Sequence, residues 1–149
     1  MKLRELFDMK DFKYRVLATV KKDDTISTVV QRLIEHDRGS ISVVNENGDL
    51  VGIITERDIV RKCLIRNNFN PDRTLVQDVM SRDVVIGDPD DDLDYAISVM
   101  KQKRIRHLPI VDGRRLIGMI STRDLLGVRL EQSTHQIRTL TNYISGSLG

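Results

Sequence analysis

The sequence predicts a mixed α/β (α+β) protein built from two βαββα repeats that pack face to face with pseudo-two-fold symmetry. The main observation is a motif written twice, as GIITERD from Gly52 and as GMISTRD from Gly118. Apolar residues at helical spacing, followed by β-rich runs, recur in the same order before each copy. A unit of about 55 residues buries too little apolar surface to fold alone, so we expect the two repeats to form one module.

The β elements of each repeat are marked by apolar runs and turn residues. Short apolar stretches at residues 16–20 and 84–86 favour a first strand in each repeat. Two β-rich runs follow, joined by the turn NENGD in the first repeat and DGRR in the second. Asn-Gly and Asp-Gly between such runs are typical of β-hairpins.

Two helices per repeat complete the pattern, and each should begin beside a capping side chain. The first helices have candidate N-caps at Asp24 or Thr25 and at Asp91 or Asp92. The second helices should begin at Thr55 and Ser121. The chain then divides into a lead-in at residues 1–15 with a helix over residues 3–9, a first repeat at 16–66, a polar linker at 67–74, a second repeat at 75–129 and a helical tail at 130–149.

The composition is that of a folded protein, with 149 residues, 40% hydrophobic and 31% charged. No apolar run approaches the roughly 20 residues of a membrane helix, and the N-terminus lacks the apolar core of a signal peptide. We therefore expect a cytoplasmic protein with no membrane partner. The single cysteine, Cys63, excludes an internal disulfide.

Residues for catalysis or metal binding do not cluster along the chain. The histidines, His36, His107 and His135, are scattered, and phosphate-loop, dinucleotide-loop and zinc-protease motifs are absent. The acidic run DPDDDLD at residues 88–94 is better explained by a turn followed by helix-capping carboxylates. We expect no catalytic residue, no metal ligand and no enzymatic activity.

The doubled motif places a hydroxyl and a carboxylate at the start of a helix, as Thr55 with Asp58 and as Ser121 with Asp124. One interpretation is a helix cap, in which each side chain accepts a backbone N–H bond. The other is a ligand site, because a hydroxyl there can meet a phosphate and a carboxylate can accept both hydroxyls of a ribose. The motif alone does not decide between them.

The segment RIRHLP distinguishes the two repeats. Arg106 and His107 precede a strand whose start is marked by Pro109, whereas the first repeat has Gly39 and Ser40 at the matching positions. A guanidinium and an imidazole beside a hydroxyl and an Asp outline a nucleotide site. Other arginines in reach are Arg38, Arg57 and Arg123. We therefore predict one well-formed mononucleotide site in the second repeat, and a weaker or differently used site in the first.

The duplicated pattern, with TERDIVRK, RIRHLPIVDG, GMIS and NYISG, resembles a tandem cystathionine β-synthase (CBS) domain pair, or Bateman module, over roughly residues 16–128. Within that family it is similar to small stand-alone CBS-pair proteins. The resemblance implies a regulatory module that binds AMP, ADP, ATP or NAD(H), with no catalytic cofactor. It also implies a homodimer formed through helices and an unidentified protein effector that receives the signal.

The resemblance also implies which residues bind the nucleotide. The site in the second repeat would use Ser121, Asp124, Arg106 and His107, with Gly39, Ser40 and Ile41 edging the base. The other would use Thr55 and Asp58, with Arg106, His107 and Leu108 near its base. The remaining candidates beside these positions are Arg57, Arg123 and Pro109.

Two alternatives stay open. A structural dimerisation module would bind no nucleotide at all. A nucleic-acid-binding CBS protein would draw on a basic N-terminal region, namely Lys10, Lys13, Arg15, Lys21 and Lys22. The net charge of only +2 does not favour nucleic acid as a partner.

Overall fold

The computed structural model describes the backbone of residues 1–13 and 15–145, and side chains as far as Ser133. Its helices are α1 (Leu3–Leu6), α2 (Lys10–Lys13), α3 (Ile26–Glu35), α4 (Glu56–Asp58), α5 (Leu93–Lys103) and α6 (Thr122–Ser145). Its strands are β1 (Thr19–Val20), β2 (Ser40–Val44), β3 (Leu50–Thr55), β4 (His107–Asp112) and β5 (Arg115–Ser121). This order confirms the predicted α+β fold of two repeats.

The first repeat holds a three-stranded sheet, in which β1 pairs parallel with β2 and β2 pairs antiparallel with β3. Of the two candidate caps, Thr25 is the N-cap of α3, and its hydroxyl accepts a bond from the Thr28 amide. Its second helix differs from the expected one. After the single turn of α4, the chain continues as a π-helix over Ile59–Cys63.

The second repeat lacks the predicted first strand, so the strand at residues 84–86 is a wrong prediction. A parallel bridge from Gly87 to Ile110 takes its place beside the antiparallel pair β4 and β5. Ile86 is 50% exposed, while Val85 packs against the core of the second repeat. The chain instead approaches β4 at Gly87, where a Cβ would lie 2.8 Å from the Ile110 Cδ1.

Two segments cross between the repeats. The N-terminal arm (residues 3–15) packs into the second repeat, where Leu3, Leu6 and Phe12 join the core formed by α5, β4, β5 and α6. The middle arm (residues 75–81) packs into the first repeat through Val76 and Val79. The helix predicted over residues 3–9 ends already at Leu6, a turn occupies residues 7–9, and α2 begins beyond the predicted range at Lys10.

The glycines of the doubled motif make room for these arms. A Cβ on Gly118 would lie 2.3 Å from the Phe7 ring, and one on Gly52 would lie 2.7 Å from the Met80 Sδ. Both distances are far inside van der Waals contact. The glycine of each motif copy is therefore the point of close contact between a strand and an arm: Gly52 of β3 contacts the middle arm, and Gly118 of β5 contacts the N-terminal arm.

The two hairpins also meet at their turns. Asp49 bridges to Arg115, and the Leu50 amide donates to the Arg114 carbonyl. A small buried apolar cluster lies at this contact, formed by Val44, Val111 and Leu116. The strand ends opposite these turns, where each helix begins, are left to form the candidate site.

Candidate functional site

The Ser121–Asp124 turn is a complete helix cap. The Asp124 amide donates to the Ser121 Oγ at 3.1 Å, and the Ser121 amide donates to the Asp124 Oδ2 at 2.9 Å. Thr55 and Asp58 make the same reciprocal pair, both at 3.0 Å. The capping interpretation is confirmed in both copies, so the difference between the repeats lies in what else touches each carboxylate.

Asp124 has a partner from the far end of the chain. Arg15, in the N-terminal arm, donates to the Asp124 Oδ2 at 2.9 Å and to Oδ1 at 3.1 Å. The two side chains are 24% and 10% exposed. Burial alone would raise the pKa of the Asp124 carboxyl, but the bonds from Arg15 and Ser121 outweigh it and hold that pKa below its ordinary value.

A cavity of about 200 Å³ lies beside this ion pair, between the two repeats. Its wall includes Phe7, Phe12, Arg15, Arg38, Ser40 and Gly118. Two of these side chains are permanently charged guanidiniums, which suit an anion. The Ser40 hydroxyl is buried and, like that of Ser42, makes no hydrogen bond among the described residues.

His107 lies at the junction of the repeats. It pairs with Ser121 across β4 and β5, and a Cβ on Gly39 would lie 3.5 Å from its ring. Burial, with the positive charge of Arg106, lowers the pKa of His107 despite the opposing effect of Asp124. The lowered pKa favours the neutral ring at pH 7, so the positive charge held against Asp124 comes from Arg15 rather than from His107.

Arg106 points elsewhere than expected. Its side chain is exposed and lines a groove between α5 and α6 with Lys101 and Arg104, while its carbonyl accepts a bond from the Thr122 amide at 2.9 Å. Arg106 precedes β4, which begins at His107, and it lines a groove other than the cavity beside Arg15. Its pairing with His107 as two cations at one nucleotide site stays a prediction.

The remaining candidates divide by burial. Arg57 and Arg123 are exposed on the first turns of their helices. The predicted edge positions Ile41, Leu108 and Pro109 are buried within β2 and β4. The Pro109 carbonyl already accepts a bond from the Gly87 amide.

In the first copy of the motif, the charge of the Asp58 carboxylate is balanced by a lysine on the same helical segment. Lys62 lies 3.2 Å from the Asp58 Oδ1, one helical turn away, and its Nζ also donates to the Val79 carbonyl at 3.0 Å. Asp58 therefore has a cation fixed to it by two contacts, one of them to the middle arm.

Sequence reasoning missed the role of the N-terminal arm in this site. Arg15 was considered only as a nucleic-acid contact, since nothing local connects it with a carboxylate 109 residues away. Phe12 carries the Arg15 guanidinium 4.4 Å above its ring and also lines the cavity. The one available signal was the apolar pattern of Leu3, Leu6 and Phe12 in a segment taken as a lead-in.

Across the described part of the chain, no cluster of three His, Cys, Asp or Glu side chains is placed to hold a metal ion. Within the same part, no helix combines the length and the apolar character needed to cross a bilayer.

Comparison with known proteins identifies the repeats. The family model described as CBS domain matches residues 9–65 and again residues 76–131, together about three quarters of the chain. An uncharacterised protein of Methanopyrus kandleri, MK0525, is 37% identical over 115 residues, which are 76% of this chain and 58% of that protein. The chain thus spans less than two thirds of that relative's length.

Solved structures share the architecture. A protein with CBS domains from Burkholderia ambifaria superposes with a TM-score of 0.79 at 30% identity, covering 88% of this chain and 95% of that one. The CBS domain pair of the protein MJ0100, solved with 5-methylthioadenosine and S-adenosyl-L-methionine, has a TM-score of 0.71 at 24% identity. That alignment covers 89% of this chain and 98% of the other.

Proposed function

Because the chain belongs to the CBS domain family as a tandem pair, we propose that it is a regulatory module that binds an adenosine nucleotide, AMP, ADP, ATP or NAD(H), between its repeats. The observation that carries this proposal is the Asp124 carboxylate held by Arg15, which together with Arg38 and Ser40 lines the cavity between the repeats. The adenosine-containing ligands in the related fold of MJ0100 support the same ligand class.

Each group has a distinct task in the proposed complex. Asp124 accepts the two ribose hydroxyls, as a carboxylate with two oxygens can. Arg38 and Arg15 supply charge for phosphate, and the fork of a guanidinium suits phosphate oxygens. Ser40 and the backbone around Gly39 meet the base. Neutral His107 donates or accepts one hydrogen bond at the junction.

We expect one dominant site per chain. Asp58 is held by Lys62, which is fixed in turn to the Val79 carbonyl. The first repeat has Gly39 and Ser40 where the second has the basic pair Arg106 and His107. A nucleotide at Asp58 would have to displace a lysine with two contacts. The Asp58 site is accordingly weaker or put to another use.

Calorimetric titration with AMP tests this proposal. We expect a single dominant binding event per chain that Asp124→Ala abolishes and Asp58→Ala preserves. The two variants are a matched pair, because each removes a capping carboxylate from the same motif. Two equal events, or binding that is indifferent to Asp124→Ala, would contradict the proposal.

A thermal-shift screen identifies the ligand and separates the alternatives. It would compare AMP, ADP, ATP, NAD, NADH and S-adenosylmethionine, since a ligand that binds only the folded state raises the melting temperature. No shift with any of them would favour a purely structural module. Binding to nucleic acid with affinity falling steeply as salt rises would favour the nucleic-acid alternative.

Exposed apolar side chains on the helices favour a second copy as a partner. Ile34 on α3 is 75% exposed, Ile65 after the π-helix is 77% exposed, and Leu126 on α6 is 60% exposed. Helices of both repeats therefore carry apolar surface of the kind that association buries. We infer a homodimer formed through these helices, and a protein effector, outside this chain, that reads its state.

Light scattering after gel filtration tests the dimer. Wild type should elute at twice the chain mass at micromolar concentration, and Ile65→Asp combined with Leu126→Asp should give a monomer. Asn47→Asp, in the exposed turn between β2 and β3 and away from these helices, serves as the control. A wild-type monomer would overturn the inference.

A further inference from the structure

Asp124 is already occupied. Its Oδ1 accepts from one nitrogen of Arg15, while its Oδ2 accepts from the other nitrogen and from the Ser121 amide. With the Asp124 side chain only 10% exposed, little of either oxygen remains open to another donor. A ribose diol needs both oxygens, so Arg15 and the ribose compete for one carboxylate.

We propose that Arg15 is a displaceable latch: a ribose-bearing ligand at Asp124 expels the guanidinium and thereby releases the end of the N-terminal arm. This inference rests on the proposed function, since it needs a nucleotide at Asp124. It adds the moving part that a partner could read.

The arm is built to open at one end. Leu3 and Leu6 are fully buried in the second core and anchor its start. Its end has weaker support: residues 15–18 form no regular structure between α2 and β1, and Val16 is 68% exposed. The Arg15 amide donates to the Phe12 carbonyl at 3.0 Å, and its guanidinium stacks on the Phe12 ring. Loss of the ion pair therefore loosens this last turn without detaching the arm.

The expelled guanidinium remains at the cavity wall, near enough to serve a phosphate. Arg15 thus opposes the ribose and assists the phosphate of one ligand. Because adenosine has no phosphate, its affinity reports only the competition between Arg15 and the ribose for Asp124. Because a charge-assisted pair contributes on the order of a tenfold factor in an equilibrium, Arg15→Ala should bind adenosine about tenfold more tightly than wild type. The same substitution should increase the affinity for AMP by a smaller factor, because it also removes a guanidinium that serves the phosphate.

Hydrogen exchange follows the latch directly in the full chain. In wild type, saturating AMP should accelerate exchange of the Lys13 and Arg15 amides by about tenfold while it slows exchange around the cavity. Asp124→Asn should accelerate the same amides without any nucleotide. Ser121→Ala is the matched control, because it removes the cap hydroxyl but keeps the carboxylate, and Lys10→Ala removes a charge from the arm without touching Asp124.

The outcomes separate the latch from the proposed function. AMP binding to wild type with unchanged or slower exchange at Arg15 would overturn the latch and leave the nucleotide site standing. Equal acceleration by Ser121→Ala and Asp124→Asn would also overturn it, since the cap rather than the ion pair would then hold the arm. If neither wild type nor Arg15→Ala binds adenosine or AMP, both proposals fail. Tighter adenosine binding by Arg15→Ala, but not by Lys10→Ala, supports the latch.

Discussion

Gly118→Ala tests the close contact between β5 and the N-terminal arm. The new Cβ would lie 2.3 Å from the Phe7 Cε1 and 2.5 Å from Cζ, so the aromatic ring must move. Forcing atoms into a packed core costs about 1–3 kcal/mol, while replacing glycine returns about 0.4–1 kcal/mol by restricting the unfolded chain. The free energy of unfolding should therefore fall by about 1–2 kcal/mol.

Gly127→Ala is the matched control with the opposite sign. Gly127 lies within α6, and nothing would contact its Cβ within 4 Å. Alanine in a helix interior is more favourable than glycine by about 0.5–1 kcal/mol. The same chemical change should thus stabilise the protein at one glycine and destabilise it at the other.

Urea denaturation followed by circular dichroism measures both changes, and thermal melts should show Gly118→Ala about 2–8 °C below wild type. A double-mutant cycle with Phe7→Ala isolates the contact, because the cost of Gly118→Ala should disappear once the ring is gone. The reasoning is refuted if Gly118→Ala unfolds at the wild-type urea concentration. It is also refuted if its cost persists in the Phe7→Ala background.

Three further predictions concern the arms and the ion pair. Gly52→Ala should destabilise the protein like Gly118→Ala, because its Cβ would lie 2.7 Å from the Met80 Sδ; equal stability by urea denaturation would contradict this. Leu6→Ala should cost about 2–5 kcal/mol, as for any fully buried leucine, and a cost under about 1 kcal/mol would deny that the arm belongs to the core. The lowered pKa of Asp124 means that its ion pair stabilises the protein above the unfolded carboxyl pKa of about 3.9 and that this stability is lost as pH falls through the lower folded value. The excess stability of wild type over Asp124→Asn should accordingly narrow as pH falls from about 5 towards 2 in urea denaturation, and a constant difference would count against the pair.

The repeat made most of the fold predictable. Periodicity located α3 and α5, and glycine turns located both hairpins, because these signals are local to the chain. The two capping pairs were also readable, since a hydroxyl and a carboxylate three residues apart act on their own backbone.

Contacts between distant residues were not predictable in the same way. Arg15 was interpretable only as an exposed cation until the fold placed it against Asp124. The strand expected at residues 84–86 does not form. Pairing with β4 is limited to a single bridge, from Gly87 to Ile110, just beyond the predicted segment. The position of Arg106 in the groove between α5 and α6 depends on the bend that precedes β4, and no local sequence signal determines the direction of that bend.

The packing of the two arms sets the order in which the repeats can fold during synthesis. The Leu3 amide donates to the Asp91 carbonyl, 88 positions further along the chain, and Leu3 shares a buried cluster with Val128, 125 positions further along. The residues made first therefore acquire their partners only when most of the chain has followed. At about 5–20 residues per second, the N-terminal arm waits on the order of ten seconds with its leucines in water. The middle arm has no such delay, because its repeat is already complete when it emerges. A nascent chain should therefore assemble the first repeat before the second, and the Arg15–Asp124 contact should be among the last to form.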